Sequence, residues 1–222
     1  MRLRRQDLPI FWQIMVMREY DLQSFAQTRR VSAKYEAILS ERKKPIIVDC
    51  GGHVGLSAIW FATQFPDATV YVVEPDISNF KILQVNSAFY ANVVPLHGGV
   101  WSHRCRLMIS NPEAGSASFR LQEVPNSSNL QQSDLLCGYT IEGVSELGEL
   151  GRLFLVKIDI EGAEAELFKG PTEWLHNPAM VLIELHDWLL PWQGTSRNFF
   201  RKLAEIDFDV VFRGENLFLF RP

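Results

Sequence analysis

The sequence has few cysteines and no excess of positive charge. The three cysteines, Cys50, Cys105 and Cys137, include no pair at the spacing of a zinc motif, and their odd number does not suggest a disulfide framework. Three cysteines without a pairing pattern predict a cytoplasmic protein, whose thiols are reduced. The formal net charge of −4 disfavours a general nucleic-acid binder, because such proteins are usually basic overall.

A long hydrophobic run is also absent from the sequence. Residues 10–17 are largely apolar, but this segment is too short to span a bilayer, and no small-residue cleavage site follows it. We therefore expect no membrane association. Residues 1–44 carry ten lysines and arginines against five acids. This basic region fits either the solvated faces of N-terminal helices or a surface that receives an anionic substrate or an acidic carrier protein.

Apolar, β-branched segments alternate with helical patterns along most of the chain. Helices are predicted within residues 8–40, at 56–65, 77–90 and 163–168, and after Thr195 or Ser196. Strands are predicted at 46–49, 69–74, 93–101, 153–158 and 180–186, with a hairpin at 208–212 and 217–220. This alternation predicts an α/β fold with a doubly wound, mostly parallel seven-stranded sheet, whose last strand runs antiparallel to its neighbour. The domain would cover residues 45–222, after a helical lead-in or cap of residues 1–44.

Residues 104–150 interrupt the alternation and are predicted to be an insertion. Residues 106–110 and 117–120 suggest short antiparallel strands, and residues 139–144 suggest another. Residues 124–134 are polar and rich in turn formers, which predicts a mobile segment. The insertion is compatible with a substrate lid and equally with a surface hairpin that takes no part in catalysis.

A glycine-rich turn follows the first predicted strand. The dinucleotide fingerprint G-x-G-x-x-G would need glycines at the positions of His53 and Leu56, so the spacing disfavours a diphosphate ligand. Gly51 and Gly52 still allow a ligand to approach the backbone closely. Asp49, at the end of the strand, is suited to accept hydrogen bonds from a ligand ammonium group, directly or through water.

A second acid, Glu74, ends the second predicted strand. A carboxylate at this place can accept paired hydrogen bonds from both hydroxyls of a ribose. A ligand that needs one acid for an ammonium group and another for a ribose fits S-adenosylmethionine. Its methionine end would lie on the first turn and its ribose at Glu74.

Several motifs resemble those of the FkbM-type S-adenosylmethionine-dependent methyltransferases. They are VDCGGHVG at 48–55, EPD at 74–76, Asn86, KIDIEGAE at 157–164 and IELH at 183–186. The resemblance covers about residues 45–190 and implies a class I methyltransferase fold that mostly methylates oxygen on small molecules or sugars. The sequence departs from the usual pattern between Cys50 and His53. The cofactor-binding residues that we expect are Asp49, Cys50, Gly51, Gly52, His53, Gly55, Glu74, Pro75, Asp76, Asn79, Val100, Trp101 and Asp159.

Ionisable residues at the ends of the fourth and fifth strands are the candidates for catalysis. Methyl transfer to a hydroxyl needs a positioned acceptor and a general base. His186 is the preferred base and Asp159 the next candidate. The same groups also fit a structural ion-pair network around Lys157. Asp159, Glu184 and His186 together fit a divalent metal site, although no metal is expected.

The sequence therefore predicts an S-adenosylmethionine-dependent methyltransferase that acts on a hydroxyl or carboxylate oxygen of a small molecule. The acceptor is expected to be free or bound to a carrier protein, with no nucleic-acid partner, and a homodimer is compatible with the sequence. The alternatives are an NAD- or nucleotide-binding Rossmann enzyme, disfavoured by the glycine spacing, and a non-catalytic subunit with a methyltransferase fold, disfavoured by Asp49 and Glu74.

Overall fold

Ten strands form one sheet in the computed structural model, which describes residues 1–111, 120–125 and 135–222. The strands are β1 (Lys44–Cys50), β2 (Thr69–Glu74), β3 (Val93–Val100), β4 (Cys105–Ile109), β5 (Leu121–Glu123), β6 (Leu136–Tyr139), β7 (Gly151–Ile158), β8 (Met180–Glu184), β9 (Asp209–Arg213) and β10 (Asn216–Phe220). The helices are α1 (Leu8–Phe11), α2 (Thr28–Ser40), α3 (Leu56–Gln64), α4 (Ile77–Ser87), α5 (Ile141–Ser145), α6 (Glu164–Leu167) and α7 (Arg197–Leu203). A 3₁₀ helix at Arg5–Asp7 leads into α1, α1 continues as a π-helical turn at Trp12–Val16, and a further 3₁₀ helix lies at Glu173–His176.

The centre of the sheet is parallel. Its strands follow the order β3-β2-β1-β7-β8, and each neighbouring pair is parallel. Strand β10 is antiparallel to both β8 and β9. These seven strands are those predicted from the alternation, and the antiparallel direction of the last strand is confirmed. Both faces of β1 are covered, so its residues are buried continuously instead of in alternation.

The inserted segment adds three strands to the sheet, which gives ten strands where seven were predicted. Strand β6 pairs in parallel with the edge of β3, and β4 pairs antiparallel with both β6 and β5. The strand predicted at 139–144 is wrong: β6 ends at Tyr139, and α5 begins at Ile141. Thr140 starts this helix, because its hydroxyl oxygen accepts a hydrogen bond from the N–H of Gly143 at 3.0 Å. The strand predicted at 117–120 and the mobile segment predicted at 124–134 lie largely outside the described residues.

Two apolar layers enclose the sheet. Successive residues of β1 point to opposite faces, so Ile47 packs with α2 and α3, whereas Ile46 and Val48 pack with α5 and α6. Helix α3 is buried from Leu56 to Ala62. Helix α7 begins after Ser196, close to its predicted start, although the serine side chain makes no capping hydrogen bond.

The N-terminal segment (residues 1–16) lies across the carboxyl edge of the sheet. Asn86 on α4 accepts a hydrogen bond from the N–H of Arg2 at 2.5 Å and donates one to the Arg2 carbonyl at 2.9 Å. Arg4 donates to Asn79 at 2.6 Å and pairs with Asp7 at 2.9 Å. These contacts hold α1 over the ends of β1 and β2. In the described part of the chain, no helix is both long and apolar enough to cross a membrane.

Candidate active site

A cavity opens at the carboxyl ends of the parallel strands, where open α/β sheets bind their ligands. Its wall combines the glycine turn, the ends of β2, β3, β7 and β8, and the N-terminal segment. The lining residues include Ile10, Gln13, Ile14, Tyr20, Gly51, Gly52, His53, Ser57, Glu74, Pro75, Asn79, Gly98, Gly99, Val100, Leu121, Lys157, Asp159, Glu161, Glu184, His186, Trp188 and Glu215.

The glycine turn brings the backbone of two strands close together. Gly51 has φ +85°, and a Cβ atom at this position would stand 1.8 Å from the carbonyl oxygen of Asp159. The N–H groups of Gly51 and Gly52 both donate to the carbonyl of Val73 at 3.0 Å. Only glycine fits this approach, because any side chain would meet backbone that cannot move aside. The turn therefore fixes the end of β1 against the ends of β2 and β7.

Glu74 lies at the cavity wall with only 5% of its surface exposed. One carboxylate oxygen accepts the N–H of His53 at 2.8 Å, and the other accepts the N–H of Asp76 at 2.9 Å and the amide of Asn79 at 3.3 Å. Burial raises the pKa of Glu74 to about 8, although these donors oppose the rise. The carboxylate is thus held in one orientation, and Oε2, which accepts only the N–H of His53, has a further lone pair for a ligand hydroxyl.

His53 connects the glycine turn to the N-terminal segment. Its Nε2 atom stands 3.5 Å from the Arg4 guanidinium and 3.7 Å from the Asp7 carboxylate, and its backbone adopts φ +48°. Burial lowers the pKa of this imidazole. His53, where the sequence departs from the family pattern, therefore contacts Arg4 and Asp7 of the N-terminal segment. It also borders the cavity.

Asp49 is fully buried and is already engaged by protein groups. Lys157 Nζ stands 3.2 Å from its Oδ1 atom, and Ser57 Oγ donates to its Oδ2 atom at 2.5 Å. Lys157 also donates to the carbonyl of Gly51 at 3.1 Å and to Asp159 at 3.3 Å. Burial alone would lower the pKa of Lys157, but Asp49 and Asp159 raise it well above its usual value. Lys157 therefore lies between Asp49 and Asp159, and of these two acids only Asp159 lines the cavity.

His186 lies at the centre of a carboxylate cluster made by Asp159, Glu161, Glu164 and Glu184. Glu164 contacts its Nδ1 atom at 2.7 Å, while Asp159, Glu184 and Glu161 stand 3.6, 3.6 and 3.8 Å from its Nε2 atom. Burial alone would lower the pKa of His186, but the hydrogen bond with Glu164 and the surrounding acids raise it to about 9. Burial also raises the pKa of Glu161 to about 7 and that of Glu184 to about 8.

The cavity contains most, but not all, of the predicted cofactor residues. Gly51, Gly52, His53, Glu74, Pro75, Asn79, Val100 and Asp159 line it. Asp49, Cys50, Gly55, Asp76 and Trp101 lie behind its wall. Among these, Asp76 starts α4 by accepting the N–H of Asn79 at 2.7 Å, and Trp101 packs with Leu107. Burial raises the pKa of the Cys50 thiol and leaves it without contact to the cavity.

Sequence reasoning missed the contributions of Tyr20, Leu121 and Glu164. Tyr20 stacks on Phe61 at 5.7 Å beneath the cavity. Leu121 reaches the cavity from β5, which can be seen only once the insertion is paired with the sheet. Glu164 stands within the KIDIEGAE motif, but the sequence carried no signal that it would orient His186.

A model of the methyltransferase FkbM domain matches residues 49–209, which is more than half of the chain. The chain belongs to the FkbM methyltransferase family. The family predicted from the motifs at 157–164 and 183–186 is thereby confirmed.

This FkbM domain is similar to two named methyltransferases. It is 28% identical over 146 residues to the hexuronic acid methyltransferase AglP of Haloferax volcanii, an alignment that covers 64% of this chain and 56% of that protein. It is 27% identical over 149 residues to methyltransferase 1 of Beauveria bassiana, covering 56% of this chain and 57% of that protein. The chain thus spans little more than half the length of either relative. Among solved structures, the SAH-bound methyltransferase PaMTH1 of Podospora anserina matches with a TM-score of 0.47 and 13% identity, covering 100% of this chain and 97% of that one.

Proposed function

We propose that this FkbM domain transfers a methyl group from S-adenosylmethionine to an oxygen atom of a small molecule. The observation that carries the proposal is that a single cavity joins Glu74 at the end of β2, past the glycine turn of β1, to the Asp159–His186 cluster at the ends of β7 and β8. The Glu74 part of the cavity has the groups that a nucleoside requires. The cluster has the ionisable groups that a nucleophilic acceptor requires.

The cofactor would lie along the ends of β1 and β2. Oε2 of Glu74 is oriented to accept a ribose hydroxyl, and the lining residues Pro75, Asn79 and Val100 would border the adenine. The methionine end would reach the glycine turn. Because Lys157 pairs with Asp49, Asp49 would support the glycine turn through Lys157 and would not contact the ligand ammonium group directly.

The acceptor oxygen would approach the cofactor from the side of β7 and β8. It attacks the methyl carbon in line with the carbon–sulfur bond, so the methyl group leaves the sulfonium and S-adenosylhomocysteine remains as a neutral thioether. A hydroxyl acceptor passes its proton to a carboxylate, for which Asp159 is the best placed. The pKa of about 9 makes His186 mostly protonated near neutral pH, which favours Asp159 over His186 as the proton acceptor. It would instead stabilise the ionised carboxylates around it.

The chemical class of the acceptor is suggested by one relative. AglP is named as a hexuronic acid methyltransferase, and it aligns with 64% of this chain. A sugar acid offers both hydroxyl and carboxylate oxygens. We therefore place hexuronic acids and their glycosides first among candidate acceptors, either free or attached to a carrier.

Binding and turnover measurements test this proposal separately. Calorimetry should show binding of S-adenosylhomocysteine and none of NAD; the opposite result would refute the cofactor assignment. Methyl transfer from labelled S-adenosylmethionine should then be measured with hexuronic acids, neutral sugars and simple phenols. The Asp159→Asn variant should lose at least about 100-fold in turnover of a hydroxyl acceptor, as expected for loss of a general base. Unchanged turnover would remove Asp159 from the mechanism.

A further inference from the structure

Three potential metal ligands converge at the end of the cavity opposite Glu74. Ligand atoms of Asp159, Glu184 and His186 all lie within 4.8 Å of one another. Asp159 Oδ1 and Glu184 Oε1 each stand 3.6 Å from His186 Nε2. Such separations suit ligands that share a divalent ion, because ligand atoms about 2.1 Å from one ion lie roughly 3 to 4 Å apart.

The imidazole ring of His186 is held in one orientation by the protein before any ion binds. Its side chain is 2% exposed, and its Nδ1 atom is held by Glu164, which is itself 1% exposed, at 2.7 Å. Its Nε2 atom faces the cluster, but the nearest carboxylate oxygens stand at 3.6 Å, beyond hydrogen-bond distance. A carboxylate that orients one ring nitrogen while the other nitrogen faces an acidic pocket is the arrangement that supports a metal-bound histidine.

The local charge also favours a cation. Asp159, Glu161 and Glu184 all lie within 4 Å of the same imidazole nitrogen. Lys157 contacts Asp159, but it also pairs with the buried Asp49. Acids therefore outnumber bases at this end of the cavity, and a doubly charged ion would relieve their mutual repulsion.

We propose that Asp159, Glu184 and the Nε2 atom of His186 bind a divalent cation of the Mg²⁺ and Mn²⁺ class, which displaces the proton that Nε2 otherwise carries. Carboxylates select such hard ions, and the imidazole makes Mn²⁺ the tighter of the two. The three side chains leave coordination positions that face the cavity. If the proposed methyl transfer is correct, an acceptor oxygen would occupy one of these positions. The ion would lower the pKa of that oxygen, so with the ion bound Asp159 would act as a ligand and the hydroxyl proton would pass to water.

A second group of potential ligands provides a matched control. His103, Cys105 and Glu123 also lie within 4.8 Å of one another. Their setting differs, because the side chains of His103 and Glu123 are 55% and 47% exposed and contact each other directly at 3.2 Å. Among the described residues, His103 Nδ1 contacts the Ser102 hydroxyl at 3.1 Å in an exposed hydrogen bond, in contrast to the buried Glu164 that orients His186, so this group is expected to bind the ion weakly.

The test is Mn²⁺ binding by the full chain without cofactor or acceptor. Purified protein is treated with EDTA and desalted, and the loss of the free Mn²⁺ resonance signal is followed as protein is added, with calorimetry as a second measurement. The expected result is one site with a dissociation constant below about 100 μM, which corresponds to more than about 5 kcal/mol. Because no methyl donor is present, failure here is distinct from failure of the proposed function.

Four variants locate the site. His186→Gln and Glu184→Gln should each weaken Mn²⁺ binding at least about 10-fold, and Glu164→Gln should do so by about 10- to 100-fold through loss of orientation. His103→Gln should leave binding unchanged. Circular dichroism checks that each variant is folded. If His186→Gln does not fold, Glu184→Gln tests the same site, because the Glu184 side chain is 15% exposed and its replacement disturbs the core less. Absence of Mn²⁺ binding up to 1 mM, or binding lost only in His103→Gln, would overturn the proposal.

Discussion

Lys157 is the residue on which the floor of the cavity depends. Its ammonium group contacts Asp49, Asp159 and the carbonyl of Gly51, and its side chain is only 3% exposed. The contacts with Asp49 and Gly51 join β7 to the end of β1, since Asp49 and Lys157 are direct partners in the register of these two strands. A buried ion pair of this kind adds little net stability, but removal of one partner leaves a buried charge without compensation.

The Lys157→Met variant is therefore expected to be strongly destabilised. Removal of the ammonium group leaves Asp49 buried without its counter-ion, and such a loss costs about 3–5 kcal/mol in the free energy of unfolding. The combined Asp49→Asn and Lys157→Met variant should recover part of this loss. Urea denaturation of the wild type and both variants measures these free energies of unfolding. Equal stability of all three proteins would show that Asp49 and Lys157 do not stabilise each other.

The proposed contact between Glu74 and the cofactor ribose should make cofactor binding sensitive to pH. Its pKa of about 8 means that the carboxylate is partly protonated in the free protein at neutral pH, whereas ribose hydroxyls donate best to the ionised form. The affinity for S-adenosylhomocysteine should therefore increase as the pH rises from 6.5 to 8.5. Glu74→Gln should bind about 10- to 100-fold more weakly, as expected for loss of charge-assisted hydrogen bonds, and its affinity should change less with pH. Calorimetry across this range measures both effects; a flat profile for the wild type would contradict the role of Glu74.

The sequence predicted the residues at the strand ends better than it predicted their partners. Acids that follow β-branched strands, such as Glu74 and Asp159, can be located from the chain alone, because parallel strands end at one edge. The engagement of Asp49 by Lys157 depends on the register between β1 and β7, which no local pattern encodes. The raised pKa of His186 likewise depends on Glu164, and that contact appears only after α6 is folded against β8.

At the level of elements, the N-terminal segment closes one side of the cavity. Ile10, Gln13 and Ile14 line it, and Arg4 connects this segment to α4. A ligand in the cavity would add contacts to α1 and to the π-helical turn after it. Local opening of the segment would then require loss of those contacts, so ligand binding should make opening rarer.

Limited trypsin digestion tests this coupling between ligand and segment. Arg18 follows the π-helical turn with φ +54°, and Arg42 follows α2 with φ +56°, so the two are comparable turn residues at different distances from the cavity. S-adenosylhomocysteine should slow cleavage after Arg18 several-fold and leave cleavage after Arg42 nearly unchanged. Mass spectrometry of the fragments measures both rates, and equal protection at the two sites would indicate only general stabilisation.

The insertion shows where prediction of elements from sequence fails. The strand near residue 106 was predicted from an apolar run that includes the β-branched Ile109, and it is present as β4. The segment around Ile141 is also β-branched, yet the Thr140 cap makes it helical. Addition of β4, β5 and β6 to the edge of β3 is a tertiary pairing, and the periodicity of the chain cannot indicate it.

At the level of the whole molecule, the cavity makes stability depend on pH. The pKa values of Glu74, Glu161, Glu184 and His186 are all raised in the folded protein. Between about pH 5 and pH 9 these four groups therefore bind more protons in the folded chain than in the unfolded chain. Stability from these groups is fully present below their unfolded pKa values and is lost as the pH rises through the folded values.

The free energy of unfolding should consequently be lower at pH 9 than at pH 6. Urea midpoints measured at the two pH values test this, and the Glu184→Gln variant should reduce the difference because it removes one titrating group from the cluster. The Glu123→Gln variant changes an exposed carboxylate and should not reduce it. A protein that is more stable at pH 9 would contradict the raised pKa values.

Because β1 lies in the middle of the sheet, its two neighbouring strands are synthesised at different times. Its partner β2 follows it closely, but its other partner, β7, is synthesised only after β3 and the whole insertion. A growing chain can therefore assemble β1, β2 and β3 early, while the apolar far edge of β1 waits for β7. During that interval the edge is open to pairing with other chains, and slow arrival of distant strands is a known source of misassembly. Translation speed through the insertion should thus influence how much of this protein reaches its native state.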